Sequence, residues 1–250
     1  MTSSDKMALV TGAAARIGAA IASALHGRGF DVLVHCNSNR EAADGLASRL
    51  NGERPDSAWV VSADISTIAG VDSLVEQTLA RSESLDLLVN NASRFYPTEV
   101  GQTQLYQWDD LINSNLRGPY FLCQGLMAAL AAAGGSIVNI VDIHAARPMA
   151  GHAAYCISKA GLAMMTRSLA KELGPEVRVN GVSPGAILWP ENAAESSSTA
   201  AQQQNILNRT VLGRLGEPSD IASAVTWLAL DAPYVTGHII SVDGGRLLNI

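Results

Sequence analysis

The chain has few cysteines, and none of them stands in a disulfide or metal-binding pattern. Cys36, Cys123 and Cys156 are scattered through the 250 residues without Cys-x-x-Cys spacing. An odd set of separated thiols favours a reducing compartment over a disulfide framework or a zinc site, so we expect buried free thiols. His144 and His152 also lack metal-ligand spacing with a cysteine or carboxylate cluster. The sequence therefore predicts no metal, and we interpret both histidines as structural or solvent-facing.

Long hydrophobic runs and an excess of positive charge are also lacking. The apolar stretch 122–133 is followed by two glycines and is too short to cross a bilayer. A formal net charge of -6 argues against a nucleic-acid partner, because proteins that bind the phosphate backbone usually carry a basic surface. The first residues run directly into an apolar strand, without the hydrophobic region of an export signal. We expect a soluble, cytoplasmic protein that binds neither nucleic acid nor membrane.

Short apolar runs alternate with helical stretches along the chain, and 48% of the residues are apolar. This alternation predicts an α/β fold, a doubly wound parallel sheet (Rossmann fold) with helices on both faces. We expect a single domain over residues 1–250, although the length alone also permits two small domains. The predicted strands are 8–10, 32–34, 59–61, 87–89, 137–141, 179–182 and 239–242. The predicted helices are 17–27, 40–50, 71–80, 109–132, 153–173 and 218–230.

One polar segment of low complexity, 191–204, stands apart from this alternation. Serine and glutamine triplets within it are typical of a mobile loop or a short helix. A substrate lid at about 187–210 and an inert surface excursion both fit this composition.

A turn of small residues follows the first predicted strand and opens the first predicted helix. It contains Gly12, Arg16, Ile17 and Gly18, and it departs from the plain G-x-G-x-x-G pattern. Backbone N–H groups and the helix dipole at such a turn can receive a pyrophosphate. Because the turn lies between a strand and a helix, the sequence favours a dinucleotide site here.

The second predicted strand ends without the acidic residue that binds the ribose 2′-hydroxyl of NAD. In its place stand hydrogen-bond donors, namely His35, Asn37, Ser38, Asn39 and Arg40. These side chains favour the 2′-phosphate of NADPH, and Arg40 adds a positive charge or belongs to the solvated face of the next helix. We therefore predict NADPH as the cofactor.

Polar residues also follow the third and fourth predicted strands. Asp64 comes after the third strand, and Asn90 and Asn91 end the fourth. Ligands of doubly wound folds bind at the carboxyl ends of the strands, so these side chains are candidate cofactor contacts. Each of them is equally suited to capping a turn.

Tyr155 and Lys159 form a candidate acid with a tuning cation, and Asp142 stands thirteen residues before the tyrosine. In a helix, residues four apart share a face, so the phenol and the ammonium point toward the same site. A nearby cation lowers the pKa of a phenol from about 10, which suits general acid catalysis near neutral pH. Taken alone, this pair is also consistent with an ordinary exposed helix face.

Together these residues resemble the short-chain dehydrogenase/reductase superfamily over nearly the whole chain. The resemblance implies that Tyr155 delivers a proton, that Lys159 holds the nicotinamide ribose and that Asn115 keeps a proton-relay water in place. It also implies a set of cofactor contacts from the turn and the strand ends. These are Gly12, Arg16, Ile17, Gly18, Asp64, Ile65, Asn91, Ala92, Ser93, Pro184 and Gly185.

Two departures from the superfamily pattern match the pteridine reductases. Arg16 stands where a glycine is usual, and Asp142 stands where a serine is usual. Segments 91–97, 142–148 and 184–191 are similar to the same subfamily.

The pteridine reductase resemblance also implies the substrate contacts. Phe95 and the nicotinamide would sandwich a flat pterin, Ser93 and Arg16 would contact pterin or cofactor phosphate, and Asp142 would work with Tyr155. Trp189 would line the pterin pocket or pack beneath the lid. Without these motifs, Asp142 would be interpreted as a turn residue and Phe95 as a core aromatic.

The chemistry of Asp142 favours a pterin over a ketone as substrate. A serine hydroxyl can donate to a carbonyl oxygen that gains negative charge, whereas an ionised carboxylate only accepts and would repel it. A pterin offers ring N–H and amino donors, and its C=N bond needs a proton at nitrogen alongside a hydride at carbon.

We therefore predict an NADPH-dependent pteridine reductase that converts a dihydropterin, such as dihydrofolate or dihydromonapterin, to the tetrahydro form. The alternatives are a carbonyl reductase, such as a 3-oxoacyl thioester reductase, and a non-catalytic nucleotide-sensing protein. The presence of Asn115, Tyr155 and Lys159 disfavours the last of these. The resemblance and the apolar helices predicted at 109–132 and 153–173 indicate a homotetramer, whose tail 246–250 reaches a neighbour or packs on its own surface.

Overall fold

Seven parallel strands form one sheet in the structure, a computed structural model that describes residues 6–187 and 200–249. The order across the sheet is β3-β2-β1-β4-β5-β6-β7. Each predicted apolar run lies in a strand, apart from a last residue at 141 that falls just outside, so the predicted doubly wound sheet is confirmed. The strands are β1 (Lys6–Val10), β2 (Phe30–Cys36), β3 (Ala58–Ser62), β4 (Leu87–Asn90), β5 (Ser136–Ile140), β6 (Arg178–Pro184) and β7 (Ile239–Val242).

Helices cover both faces of the sheet, and the side chains of successive strand residues point alternately into the two hydrophobic cores. In β1, Ala8 and Val10 belong to the core on one face of the sheet, whereas Met7 and Leu9 belong to the core on the other face. Strands buried on both faces must be apolar throughout, which is why they appear as continuous hydrophobic runs. The α-helices are α1 (Arg16–Gly27), α2 (Arg40–Glu53), α3 (Ile68–Leu79), α4 (Leu105–Ile112), α5 (Gly118–Ala133), α6 (Ala153–Leu173), α7 (Ala200–Asn208) and α8 (Pro218–Thr226).

The helix predicted at 109–132 is wrong in its bounds and continuity. The helical stretch begins at Leu105 and widens into a π-helical segment, Asn113–Arg117, before α5. Pro119 explains the widening, because it lacks the N–H that would bond to the Asn115 carbonyl and its ring would crowd that carbonyl. The Gly118 N–H instead bonds to the Asn113 carbonyl. Similarly, the helix predicted at 218–230 ends at Thr226 and continues as a π-helical segment, Trp227–Asp231.

The predicted site residues lie at the carboxyl ends of the strands, which are all at the same end of the parallel sheet. Val10 of β1 pairs with Val34 of β2 and with Val89 of β4, so the chain segments that follow these strands start side by side. The winding direction reverses between β1 and β4, and ligands of such sheets bind in the crevice at that reversal.

Within residues 6–187 and 200–249, no helix is long and apolar enough to cross a membrane. The same ranges contain no group of three or more His, Cys, Asp or Glu residues that could hold a metal ion. The three cysteines are free and buried, as expected.

Candidate active site

Tyr155 and Asp142 are joined by a hydrogen bond at the carboxyl edge of β5. The Tyr155 hydroxyl donates to Asp142 Oδ2 at 2.7 Å. Asp142 Oδ1 accepts from the His144 backbone N–H at 2.8 Å, which caps a short 3-10 turn and fixes the carboxylate. Tyr155 lies in the first turn of α6 and is buried, so the proton between phenol and carboxylate is shielded from bulk water.

The prediction that Lys159 acidifies Tyr155 is wrong. Burial raises the pKa of Tyr155, and the Asp142 carboxylate raises it further. Lys159 Nζ donates to the Ile140 carbonyl at 2.9 Å, at the end of β5, and lies 5.9 Å from the centroid of the phenol ring. Burial lowers the pKa of Lys159 to about 8, although the Asp142 charge opposes this shift. The tyrosine is therefore held as a protonated phenol whose nearest charged partner is a carboxylate.

Asn115 fixes the loop that carries Phe95. Its Oδ1 accepts from the Arg94 N–H at 2.8 Å, and its Nδ2 donates to the Arg94 carbonyl at 2.9 Å and to Ser158 Oγ at 3.1 Å. Its side chain is thus used within the protein. Its backbone carbonyl lies four residues before Pro119, which has no N–H to donate to it.

Phe95 lies beside Tyr155 with 55% of its surface exposed, so the core-aromatic interpretation is wrong. Its ring stands nearly perpendicular to the Tyr155 ring, with centroids 4.8 Å apart and an interplanar angle of 82°. His152 stacks on Phe95 at 4.8 Å and 13°. The sequence interpretation placed no functional weight on His152, whose only signal is its position three residues before Tyr155.

The glycine turn has the geometry of an anion site. Gly12 and Arg16 both have positive φ, +62° and +53°. A Cβ on Gly18 would lie 2.1 Å from the Gly12 carbonyl oxygen, so only glycine permits this approach. Helix α1 has no side-chain cap and no acidic residue in its first turn, which leaves its N–H groups for a phosphate. Asn91 Nδ2 holds the turn by donating to the Thr11 and Gly12 carbonyls at 2.8 and 3.0 Å.

The prediction that His35 donates to a 2′-phosphate is contradicted, because His35 is 1% exposed and both ring nitrogens are engaged within the protein. Nδ1 accepts from the Gly12 N–H at 3.1 Å, so Nε2 carries the proton and donates to the Ala63 carbonyl at 3.0 Å. Burial lowers the pKa of His35. The imidazole therefore joins the glycine turn to the end of β3.

The other donors after β2 are exposed, as a phosphate-binding loop requires. Asn37, Ser38, Asn39 and Arg40 lie at the surface. Asn39 caps α2 through its side chain, and Arg40 Nε donates to both oxygens of Asp44 at 2.9 and 3.0 Å. Of the five residues named from the sequence, four are therefore exposed, and two of these are engaged within the protein.

Asp64 and Ile65 follow β3 in a tight turn. Asp64 Oδ1 accepts from the Ser66 N–H at 3.0 Å and from Ser66 Oγ at 2.7 Å. Burial alone would raise the pKa of Asp64, but these hydrogen bonds and the Arg94 charge lower it. Ile65 is buried, and its carbonyl approaches Gly118 so closely that a Cβ there would lie 2.3 Å away. The structure thus gives Asp64 the turn-capping role that the sequence left open.

The remaining predicted residues lie at the ends of β4 and β6. A Cβ on Gly12 would lie 2.9 Å from Ala92 Cα, and Ser93 beside it is exposed. Pro184 ends β6, and a Cβ on Gly185 would lie 2.7 Å from Asp243 Cα. Trp189 and half of the predicted lid, residues 188–199, lie outside the described residues, and in the other half Ala200–Asn208 forms α7.

Comparison with known proteins shows that the sequence is similar to reductases. The model of the family described as Enoyl-(Acyl carrier protein) reductase matches residues 12–246. The chain is 36% identical to Pteridine reductase 1 of Leishmania tarentolae, an alignment that covers 97% of this chain and 96% of that protein. It is 33% identical to the 3-oxoacyl-acyl-carrier-protein reductase FabG of Staphylococcus aureus, over 97% of this chain and 98% of that protein.

Proposed function

The chain belongs to the short-chain dehydrogenase/reductase superfamily, and we propose that it is an NADPH-dependent pteridine reductase that converts a dihydropterin to its tetrahydro form. The observation that carries the proposal is the 2.7 Å hydrogen bond from the Tyr155 hydroxyl to Asp142 Oδ2. The 36% identity to a pteridine reductase supports it, whereas the 33% identity to FabG supports the alternative of a 3-oxoacyl reductase.

The carboxylate beside Tyr155 selects the kind of bond that is reduced. An ionised Asp142 can only accept hydrogen bonds, so it disfavours the negative charge that grows on a ketone oxygen during reduction. The ring N–H and amino groups of a pterin are donors that match such an acceptor. In this site Asp142 orients the pterin and holds the hydroxyl of Tyr155.

The residues of the turn after β1 and of the loop after β2 fit a dinucleotide with a 2′-phosphate. The uncapped N-terminus of α1 would bind the pyrophosphate, and Asn37, Ser38 and Arg40 would bind the 2′-phosphate. Lys159 uses one donor on the Ile140 carbonyl, and its other N–H groups would bind the nicotinamide ribose. When bound, NADPH supplies a hydride to the carbon of the pterin C=N bond.

Tyr155 supplies the proton for the nitrogen of that bond. Burial and the Asp142 carboxylate raise its pKa, so the phenol is protonated at neutral pH and carries the proton to be transferred. Phe95 offers an exposed aromatic ring next to the phenol, on which a flat pterin would stack. The buried position of Tyr155 excludes water from the proton transfer.

A substrate panel tests the proposal. NADPH oxidation would be measured with 7,8-dihydrobiopterin, dihydromonapterin, dihydrofolate and a 3-oxoacyl thioester. Turnover of at least one dihydropterin with little activity on the thioester is the expected result. Thioester reduction without pterin reduction would establish the carbonyl reductase, and NADPH binding without turnover of any substrate would establish a nucleotide-sensing protein.

A further inference from the structure

Arg246 lies at the same sheet edge as Tyr155 and Asp142, although nothing above assigns it a role. It begins a 3-10 turn, Arg246–Leu248, just after β7, and follows Gly245, whose φ is +79°. Strand β6 lies between β5 and β7, so the chain after β7 emerges at the same end of the sheet as the chain after β5, which carries Asp142, two strands away. The tight contact between Gly185 and Asp243 holds the ends of β6 and β7 together.

The guanidinium of Arg246 has no partner among residues 6–187 and 200–249. It forms no ion pair or side-chain hydrogen bond there, and its Nε is buried. Asp243, the adjacent carboxylate, is occupied by the backbone, since its oxygens accept from the Gly245 and Leu247 N–H groups at 2.9 and 2.8 Å. A half-buried arginine whose planar donor groups are not satisfied by the protein is suited to an anionic ligand.

Arg246 lies within electrostatic reach of Asp142 and Arg209. Burial lowers the pKa of Arg246, while Asp142 raises it and Arg209 lowers it further, so both charges lie within electrostatic reach. Arg209 follows α7, and its carbonyl accepts from Asn249 Nδ2 at 3.1 Å. The Leu212 N–H also donates to the Gly244 carbonyl at 3.0 Å. These bonds fasten the segment with Arg209 to the segment with Arg246.

We propose that Arg246, assisted by Arg209, binds an anionic substituent of the substrate, a carboxylate or a phosphate. The proposal rests on the proposed pterin reductase function and narrows its substrate class. Dihydropterins with an acidic side chain are preferred over neutral ones, because the guanidinium pairs with carboxylate and phosphate oxygens through two parallel hydrogen bonds.

The test compares substrates that share the pterin ring and differ in charge. The ratio kcat/KM would be measured for dihydrofolate, for a phosphate ester of 7,8-dihydroneopterin and for neutral 7,8-dihydrobiopterin. The proteins are the parent, Arg246→Met and the control Arg28→Met, which removes an exposed arginine paired with Asp231. Arg246→Met should raise KM about ten- to a hundredfold for the anionic substrates and change the neutral substrate less than twofold.

Comparison of dihydrofolate with the phosphate ester shows whether Arg246 prefers a carboxylate or a phosphate. The control Arg28→Met should leave kcat/KM unchanged for all three substrates. If Arg246→Met lowered kcat/KM equally for neutral and anionic substrates, the proposal would be overturned, because Arg246 would then act through Asp142 on the reaction itself. No loss with any substrate would also overturn it. Arg246→Lys keeps the charge and should recover part of the affinity, which separates a binding defect from a folding defect.

A binding measurement keeps the test independent of turnover. Folate and neutral biopterin would be titrated into the NADP⁺-loaded protein and followed by quenching of tryptophan fluorescence. Tighter binding of folate to the parent than to Arg246→Met, with equal binding of biopterin, supports the anion site even if the protein reduces no pterin. Equal folate affinities for the two proteins would reject it.

Discussion

At the scale of single residues, the site combines a phenol with a carboxylate where a hydroxyl is usual in the superfamily. Asp142 accepts from Tyr155 and is itself fixed by the His144 N–H. Because a carboxylate cannot donate while ionised, we expect this one side chain to change which substrates the site accepts.

Asp142→Ser tests this selection. The serine restores a donor and removes the acceptor for pterin N–H groups, so dihydropterin reduction should fall about a hundredfold while weak carbonyl reduction persists or rises. Steady-state kcat/KM for one dihydropterin and one 3-oxoacyl thioester gives both values. If this variant kept the parent's kcat/KM for the dihydropterin, the proposed role of Asp142 would be wrong.

Tyr155 and Phe95 should have separable roles. Tyr155→Phe removes the proton donor, so kcat should fall roughly 10²- to 10⁴-fold while NADPH still binds. Phe95→Ala removes the stacking surface and should weaken pterin binding about five- to a hundredfold, by analogy with base stacking on aromatic side chains. NADPH and pterin titrations beside turnover rates distinguish the two losses. The assignment fails if both variants lose NADPH affinity.

At the scale of elements, we expect the loop after β2 to determine the choice of cofactor. It contains no acidic residue at positions 36–40, and its donors are exposed. We therefore expect a higher kcat/KM with NADPH than with NADH. Ser38→Asp places a like charge against the 2′-phosphate and should lower this preference roughly tenfold or more. Equal use of both cofactors by the parent would contradict the 2′-phosphate site.

His35 links three elements, since its ring joins the turn after β1 and the end of β3 to β2. Burial lowers its pKa, with the Ala63 carbonyl and the Asp64 charge opposing that shift. A group whose folded pKa is depressed binds fewer protons in the folded state, so its stabilisation is present above the unfolded value of about 6.5 and is lost as the pH falls through the folded pKa.

The parent should therefore lose more unfolding free energy between pH 7.5 and pH 5.5 than His35→Gln, which has no imidazole to titrate. Urea denaturation at both pH values measures the difference. The pKa of His26 is also lowered, by burial first, but His26 is present in both proteins, so its contribution cancels in the comparison. An identical pH dependence in the two proteins would reject this role of His35.

At the scale of the whole molecule, α5 and α6 present an apolar surface that the chain does not cover within the described residues. Tyr120, Phe121 and Met164 are 42%, 37% and 59% exposed, and they line one groove with Leu116 and Leu169. A contiguous exposed apolar patch favours an interface, and helices that pair with their own copies form two-fold contacts. This surface, taken together with the resemblance to the superfamily, leads us to expect a homotetramer.

Light scattering at micromolar concentration should give four times the chain mass. Met164→Glu places a charge in the groove and should shift the protein to a smaller species, whereas Tyr234→Glu, at a fully exposed position elsewhere, should not. If the parent protein were a monomer at this concentration, the prediction of a homotetramer would be wrong.

The sequence by itself determined the elements and the residue types at the site. Continuous apolar runs predicted strands buried on both faces, and the helix predicted at 153–173 has the bounds of α6. These features follow from local periodicity, which each segment carries in its own residues. The π-helical segment was missed because Pro119 interrupts helical bonding without changing the apolar pattern of the stretch.

Only the tertiary structure decided how the site residues act on one another. The spacing of Tyr155 and Lys159 placed both on one face of α6, but the Ile140 carbonyl at the end of β5 binds the ammonium and Asp142 binds the phenol. Burial raises the pKa of Tyr155, and the Asp142 carboxylate raises it further. His35 likewise became a buried link because β2 lies between β1 and β3. Distances between elements depend on how they pack, and no single segment contains that information.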